Sequence, residues 1–215
     1  MFLYLVVMKN IFLSAIVVLF ITTSNEAFGQ LQDFNTQRYK TDQKLMLSLG
    51  SWASMNILGS GIGWARSNSE ENKYFHQMNV MWNLVNFGLS VPGYLKAKKG
   101  DPRLSLFETL EEQRKTETVF LINAGIDLAY ISSGILLRNR ANQDSDNANQ
   151  LLGYGNSMLL QGGFLLFFDW IAYSIHRKHS KNKLAPLLQK IEPSDLGIGI
   201  KYKLDSDSKK RNNIF

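Results

Sequence analysis

Two carboxylates stand alone inside long apolar stretches, and they are the first candidates for chemistry in this sequence. Asp127 is the only charged residue in 119–137, and Asp169 is the only one in 151–175. An ionised carboxyl is costly in an apolar environment unless it is paired or functional. Three roles are open: a carboxyl that fixes helix register by pairing with an amide, a path for ions or protons, and a catalytic centre that also uses a histidine.

A stripe of amides marks a second apolar stretch. His76, Asn79, Asn83, Asn86 and Ser90 follow one another at spacings of 3, 4, 3 and 4 residues. At about 100° per residue they share one face of a helix. Such amides commonly hold membrane helices together, at about 0.6 kcal/mol for an average hydrogen bond. A hydrated cavity, an ion path and a catalytic centre are the alternatives. Further polar candidates for inward-facing positions are Asn56, Asn123 and Tyr173.

The depths of these residues predict which of them meet. If successive helices alternate in direction, Asp127 lies near mid-depth, at the level of Asn83, Asn86 and Asn123. We therefore expect these four side chains to form one polar layer, with Asn56 as a further candidate member.

The same comparison of depths disfavours a metal centre. His76 and His176 fall near opposite ends of their helices, and the chain has no cysteine. The sequence also lacks the motifs of phosphate-binding loops, zinc proteases and serine hydrolases. We expect no metal, no cofactor and no catalytic residue.

Four apolar stretches supply the elements that position these residues. They cover 45–64, 74–95, 119–137 and 151–175, and each is long enough to cross a bilayer as a helix. A soluble bundle would carry charge along the outer face of each helix, whereas these stretches carry almost none. We predict an all-α fold, a four-helix transmembrane bundle within 30–179, in preference to a soluble bundle.

The connections refine this prediction. Pro92 and Gly93 are expected to end the second helix, and Asp101 is expected to cap the next one, with Pro102 as its first residue. The amphipathic stretch 103–117 then extends the third span, either in water or along the headgroups. The tail 180–215 is expected to be basic and mostly disordered, with a short strand at 196–204.

The first 29 residues are typical of a secretory signal peptide. Lys9 precedes the apolar run 11–21, and the small residues Ala27 and Gly29 fit a cleavage site after Gly29. The alternative is a membrane helix that is retained.

The charge distribution conflicts with a cleaved signal. The net charge is +6, and 19 basic residues fall on the side of the mature N-terminus, the middle loop and the tail, against 4 on the other side. This bias places that side in the cytoplasm, whereas cleavage would place it outside, so the topology stays open. The basic side favours anionic lipid headgroups, and we expect no binding to nucleic acid.

The layout resembles that of small uncharacterised envelope proteins of Gram-negative bacteria, which carry domain-of-unknown-function labels. The resemblance rests on the signal ending in 27–29, the four spans that contain asparagine and the stretch 197–202. It implies an integral protein of the inner membrane with no known activity. We expect a non-enzymatic scaffold or partner subunit, as a homo-oligomer or with an envelope protein. The alternatives are a small transport or channel component that uses Asp127 and the asparagine stripe, and an intramembrane enzyme.

Overall fold

The computed structural model describes residues 2–143, 146–189, 191–194 and 197–200, with side chains from residue 28 to residue 189. Four long helices dominate: α1 (Phe2–Arg66), α2 (Glu70–Lys99), α3 (Leu106–Ala141) and α4 (Ala148–His179). The predicted all-α class with four long helices is confirmed.

The chain divides into two compact units, and the larger one comprises Leu31–Ser180. Beyond α4 follow a π-helical segment (Ser180–Leu184), a short helix α5 (Ala185–Gln189) and two antiparallel strands, β1 (Ile191–Ser194) and β2 (Gly197–Ile200), in which Ile191 pairs with Ile200. The signal predicted for 1–29 falls mostly on residues whose side chains are not described. Of the tail 180–215 that was predicted to be mostly disordered, the described residues up to 200 are helical or stranded, and β2 lies within the strand predicted at 196–204. Residues 201–215 lie outside the described part.

Two predicted helix boundaries are wrong. The second helix does not end at Pro92 but continues to Lys99. Pro92 removes one backbone hydrogen bond, but contacts with α1 on both sides of it hold the helix. A side-chain atom added at Gly50 would lie 2.9 Å from the Ser90 hydroxyl, and Gln43 donates to the carbonyl oxygen of Ala97 at 3.3 Å.

The third helix begins at Leu106 rather than at Pro102. Its N-cap is Ser105, which forms a reciprocal capping box with Glu108. Asp101 instead accepts a hydrogen bond from the backbone N–H of Arg103 at 2.9 Å, and its carboxylate pairs with the Arg103 side chain. The residues expected to start the helix therefore form a separate turn before it.

The interior of the bundle follows a seven-residue repeat. In α3 the buried positions include Gln113, Phe120, Asp127, Gly134 and Ala141, each seven residues after the last. Seven-residue spacing keeps one seam of a helix facing its neighbours at a shallow crossing angle. Here the seam carries one amide, one carboxylate, a glycine, an alanine and a phenylalanine in place of the usual leucines.

Glycines bring α3 and α4 close together. A Cβ atom on Gly155 would lie 2.8 Å from the carbonyl oxygen of Gly134, and one on Gly134 would lie 2.9 Å from that of Gly155. Small residues that let backbones approach in this way are typical of helix contacts in membranes. The α3–α4 contact therefore depends on the absence of side chains at these two positions.

Large apolar side chains point outward from the bundle. Leu58 is 69% exposed, Leu136 67% and Trp170 63%. By length and composition, two described helical stretches are apolar enough to cross a membrane, Leu106–Ala141 and Ala148–Gln189. The stretches of α1 and α2 predicted as spans are not among them, because glycine, serine and asparagine lower their mean hydropathy.

Candidate functional site

Amide side chains from three helices meet in one hydrogen-bonded group, which we call the amide cluster: Trp52, Asn56, Asn79, Ser157 and Gln161. The Asn79 Oδ1 atom accepts hydrogen bonds from the Ser157 hydroxyl at 2.8 Å and from the Gln161 amide at 2.9 Å. The Gln161 amide also donates to Asn56 at 3.3 Å, and its oxygen accepts from the Trp52 indole at 3.1 Å. The cluster therefore ties α1, α2 and α4 together.

The rest of the predicted asparagine stripe lies beside this cluster. Asn83 and Asn86 are buried in the bundle, and the Asn83 side chain donates to the backbone carbonyl of Asn79 at 2.8 Å. The Asn83 Oδ1 and Asn86 Nδ2 atoms have no hydrogen-bond partner among the described residues. Sequence reasoning selected Asn56 and Asn79 of this cluster but not Trp52, Ser157 or Gln161, although the i, i+4 spacing of Ser157 and Gln161 places both on one face of α4.

Asp127, Asp169 and Asn123 form a second group, which we call the carboxyl cluster. The carboxyls of Asp127 on α3 and Asp169 on α4 lie close enough to interact, and the Asn123 side chain lies close to Asp169. Both carboxyls are buried, and the Oδ2 atom of Asp127 has no partner among the described residues. Two buried carboxyls this close together are costly to ionise at the same time, so the pair favours holding one proton.

The polar layer expected around Asp127 forms differently from the prediction. Asp127 and Asn123 lie close to Asp169 on α4, and among the described residues no hydrogen bond joins either of them to Asn83 or Asn86 on α2. The physical reason is the close approach of α3 and α4. A Cβ on Gly162 would lie 3.3 Å from the carbonyl oxygen of Asp127, so α4 runs directly against this part of α3.

A third polar group lies at the end of the bundle where α1 enters and α4 leaves. The His176 Nε2 atom is 3.0 Å from the Asp42 carboxylate. Gln113 donates to Glu117 at 2.9 Å and to the backbone carbonyl of His176 at 3.1 Å. Arg177 pairs with Glu117 at 3.1 Å. This group joins α1, α3 and α4 through ionisable residues, and sequence reasoning had not selected it.

The predicted histidine and tyrosine candidates do not join these clusters. His76 lies against Gly63 near the α1–α2 turn, at the opposite end of the bundle from His176. Tyr173 packs against the small apolar core of Leu45, Leu49, Phe120, Phe168 and Ala172. Within the described part of the chain, no three histidine, aspartate or glutamate side chains are grouped to hold a metal ion.

Arg38 is the buried charged residue that sequence reasoning missed. Its side chain is 2% exposed, and the described residues offer no hydrogen-bond partner to its Nε and Nη2 atoms. Its guanidinium carbon lies 4.5 Å from the centre of the Tyr39 ring. Its position in the sequence could have indicated its burial, because it lies seven residues after Leu31 and seven before Leu45, and both leucines are buried.

Comparison with known proteins assigns the chain to a family. Neither the curated proteins nor the solved structures include a match to the chain. A family model matches residues 48–170, which is more than half of the chain and contains both the amide cluster and the carboxyl cluster. The chain therefore belongs to a family of unknown function, DUF6992.

Proposed function

We propose that this chain is an integral membrane protein of the bacterial envelope, in which all four helices cross the bilayer and form a non-enzymatic scaffold or partner subunit. The observation that carries the proposal is the inverted distribution of polarity in the bundle. Fully buried positions include Asn83 and Gln161, whereas Leu58, Leu136 and Trp170 are largely exposed.

The energetics of this distribution favour lipid over water. Each square ångström of apolar surface left in water costs about 25 cal/mol, and soluble proteins seldom expose large continuous apolar patches. In hydrocarbon the same outer face is favourable, while amides and carboxyls must turn inward and find partners. This reasoning extends to α1 and α2, because Leu58 and Leu84 are exposed on them while Ser60 and Asn83 are buried.

The scaffold role follows from what the polar interior does. The amide cluster joins α1, α2 and α4, and the contact between Gly134 and Gly155 holds α3 against α4. The apolar outer face is then available to a second copy of the chain or to another envelope protein. The basic residues at the loop ends favour anionic headgroups, consistent with a place in the inner membrane.

A second candidate function is proton-coupled transport, and the carboxyl cluster favours it. Two buried carboxyls that lie close together, one with an unpartnered oxygen, can accept and release a proton. The same proximity keeps an intramembrane acid–base enzyme as a further alternative. The scaffold needs only the shape of these side chains, whereas transport and catalysis need their acidity.

A topology map tests the proposal. The chain has no native cysteine, so single cysteines can be placed at the helix ends by Asn68→Cys, Lys99→Cys and Asn142→Cys. We expect the protein to stay in the membrane after alkaline carbonate extraction. A membrane-impermeant maleimide should label residues 68 and 142 from one side and residue 99 from the other. Release into the carbonate supernatant, or labelling of all three from one side, would contradict the four-span arrangement.

A further inference from the structure

We propose that a cleft between α1, α2 and α3 binds the phosphate of an anionic phospholipid headgroup, with Arg38 as its anchor. The inference rests on the proposed membrane location and adds a specific site to it. The cleft has a volume of about 210 Å³ and lies where α2 ends and α3 begins.

The charges that line the cleft leave a cation without a counter-charge. Three basic residues line it, Arg38, Lys96 and Lys115, together with the acids Asp42 and Glu112. The Asp42 carboxylate also lies 3.0 Å from the His176 Nε2 atom, outside the lining of the cleft. Three basic against two acidic side chains leave the lining with an excess of positive charge.

Arg38 has both the burial and the open hydrogen-bonding capacity of an anion anchor. Burying a guanidinium with unpartnered N–H groups is costly unless a ligand completes them. Its Nε and Nη2 atoms, which the protein leaves unpartnered, form one edge of the planar fork. That edge matches two oxygens of a phosphate, which is the geometry in which arginine binds phosphate most strongly.

The size of the cleft and its apolar lining favour a lipid over a soluble anion. Pockets for drug-sized ligands usually have about 300–1,000 Å³, so this cleft suits a headgroup rather than a larger molecule. Met46, Val119 and Phe120 line the same cleft, and Val119 is 47% exposed. A phosphate at Arg38 can therefore continue into an acyl chain that lies along this apolar edge. Basic pockets between membrane helices commonly bind anionic headgroups in this way.

The experiment measures thermal stabilisation of the purified full chain by phosphatidylglycerol, with phosphatidylcholine and inorganic phosphate as separate arms. The variants are Arg38→Gln and Lys115→Gln, and the matched control is Lys98→Gln, whose side chain is exposed and does not line the cleft. We expect phosphatidylglycerol to stabilise the native chain and the control alike. The apparent dissociation constant should rise about tenfold in Arg38→Gln, the loss expected for a charge-assisted hydrogen bond, and less in Lys115→Gln.

Three results would overturn the proposal. Equal stabilisation of all variants by phosphatidylglycerol would remove the cleft as the site. Equal stabilisation by phosphatidylcholine would remove the role of the anionic headgroup. Stabilisation by inorganic phosphate that matches phosphatidylglycerol would assign the cleft to a soluble anion. If Arg38→Gln does not fold, Lys115→Gln against Lys98→Gln decides. Carbonate extraction of the same membranes separates failure of this site from failure of the membrane proposal.

Discussion

The amide cluster and the carboxyl cluster lie in one bundle but differ in how fully their buried polar atoms find partners. In the amide cluster the Asn79 oxygen receives two donors and the Gln161 oxygen receives one, so the buried amides complete one another. In the carboxyl cluster one oxygen of Asp127 stays unpartnered while Asp169 also contacts Asn123. The contrast suggests that the first group holds helices together and that the second retains capacity for a proton or a ligand.

The largest expected effect comes from disrupting the contact between α3 and α4, which the carboxyl cluster needs and the amide cluster does not. In Gly155→Leu the new side chain would meet the Gly134 carbonyl oxygen and Arg138 within 3 Å. We expect α3 to move away from α4, at a cost of about 3 kcal/mol, and the carboxyl cluster to open. The change should appear as a lower unfolding midpoint in mixed detergent. The same substitution at Gly163, where a Cβ meets nothing within 4 Å, is the control.

The next effect breaks the amide cluster directly. Gln161→Leu removes three hydrogen bonds and leaves the Trp52 indole and Asn56 without their partner on α4. At membrane values for such bonds we expect a loss of about 2 kcal/mol in the free energy of unfolding. Asn139→Leu, on an exposed position of α3, serves as the control. A loss no larger than the control's would show that the cluster does not hold the helices.

The N-cap of α3 at Ser105, outside the apolar segments, provides a reference for these changes in the free energy of unfolding. Ser105→Ala removes the hydroxyl that accepts from the Glu108 backbone N–H, and we expect a cost of about 1 kcal/mol. The Ser105 hydroxyl and backbone N–H hold the pKa of Glu108 below its ordinary value of 4.5. The stabilisation that this carboxylate contributes is therefore present above pH 4.5 and lost as the pH falls through the lowered pKa. The difference between the two proteins should narrow in acid, and a constant difference would contradict the capping role of Glu108.

We expect Asp127→Asn to have the smallest effect on stability, and its effect on proton flux to distinguish best between the candidate functions. Asp127→Asn keeps the shape of the side chain and removes its acidity, while its amide can donate to the nearby Asp169 carboxylate. We expect a change in stability below about 1 kcal/mol. Proton flux into proteoliposomes, measured with a pH-sensitive dye, then separates the candidate functions. Flux in the native chain that Asp127→Asn abolishes supports transport, whereas no flux in either protein, with intact assembly, supports the scaffold.

The number of long helices could be predicted from the sequence, because the length of the apolar stretches and the turn residues between them indicate each helix. The end of α2 was predicted wrongly, since contacts of Ser90 and Ala97 with α1 outweigh the local effect of Pro92. The start of α3 was missed although Ser105 and Glu108 have the spacing of a capping box. That signal was present in the sequence and was passed over for Asp101.

The candidate site was predictable by residue type but not by pairing. Asp127 and Asp169 stood out because each is the single charge in an apolar stretch. Their contact depends on the register of α3 against α4, which the close approach of Gly134 and Gly155 sets and which periodicity alone does not reveal. Arg38 was missed because it lies before the first apolar stretch, in a polar segment where a charged side chain is expected to be exposed.

The most direct test of the account is the environment of its outward-facing apolar residues. Spin labels can be attached to Leu58→Cys on α1, Leu84→Cys on α2 and Leu136→Cys on α3, and to Glu111→Cys as an exposed polar reference. In reconstituted bilayers we expect the first three to collide readily with oxygen and poorly with a water-soluble nickel chelate, and position 111 to show the reverse. Ready collision of the chelate with the labels at 58, 84 and 136 would contradict the membrane-embedded bundle.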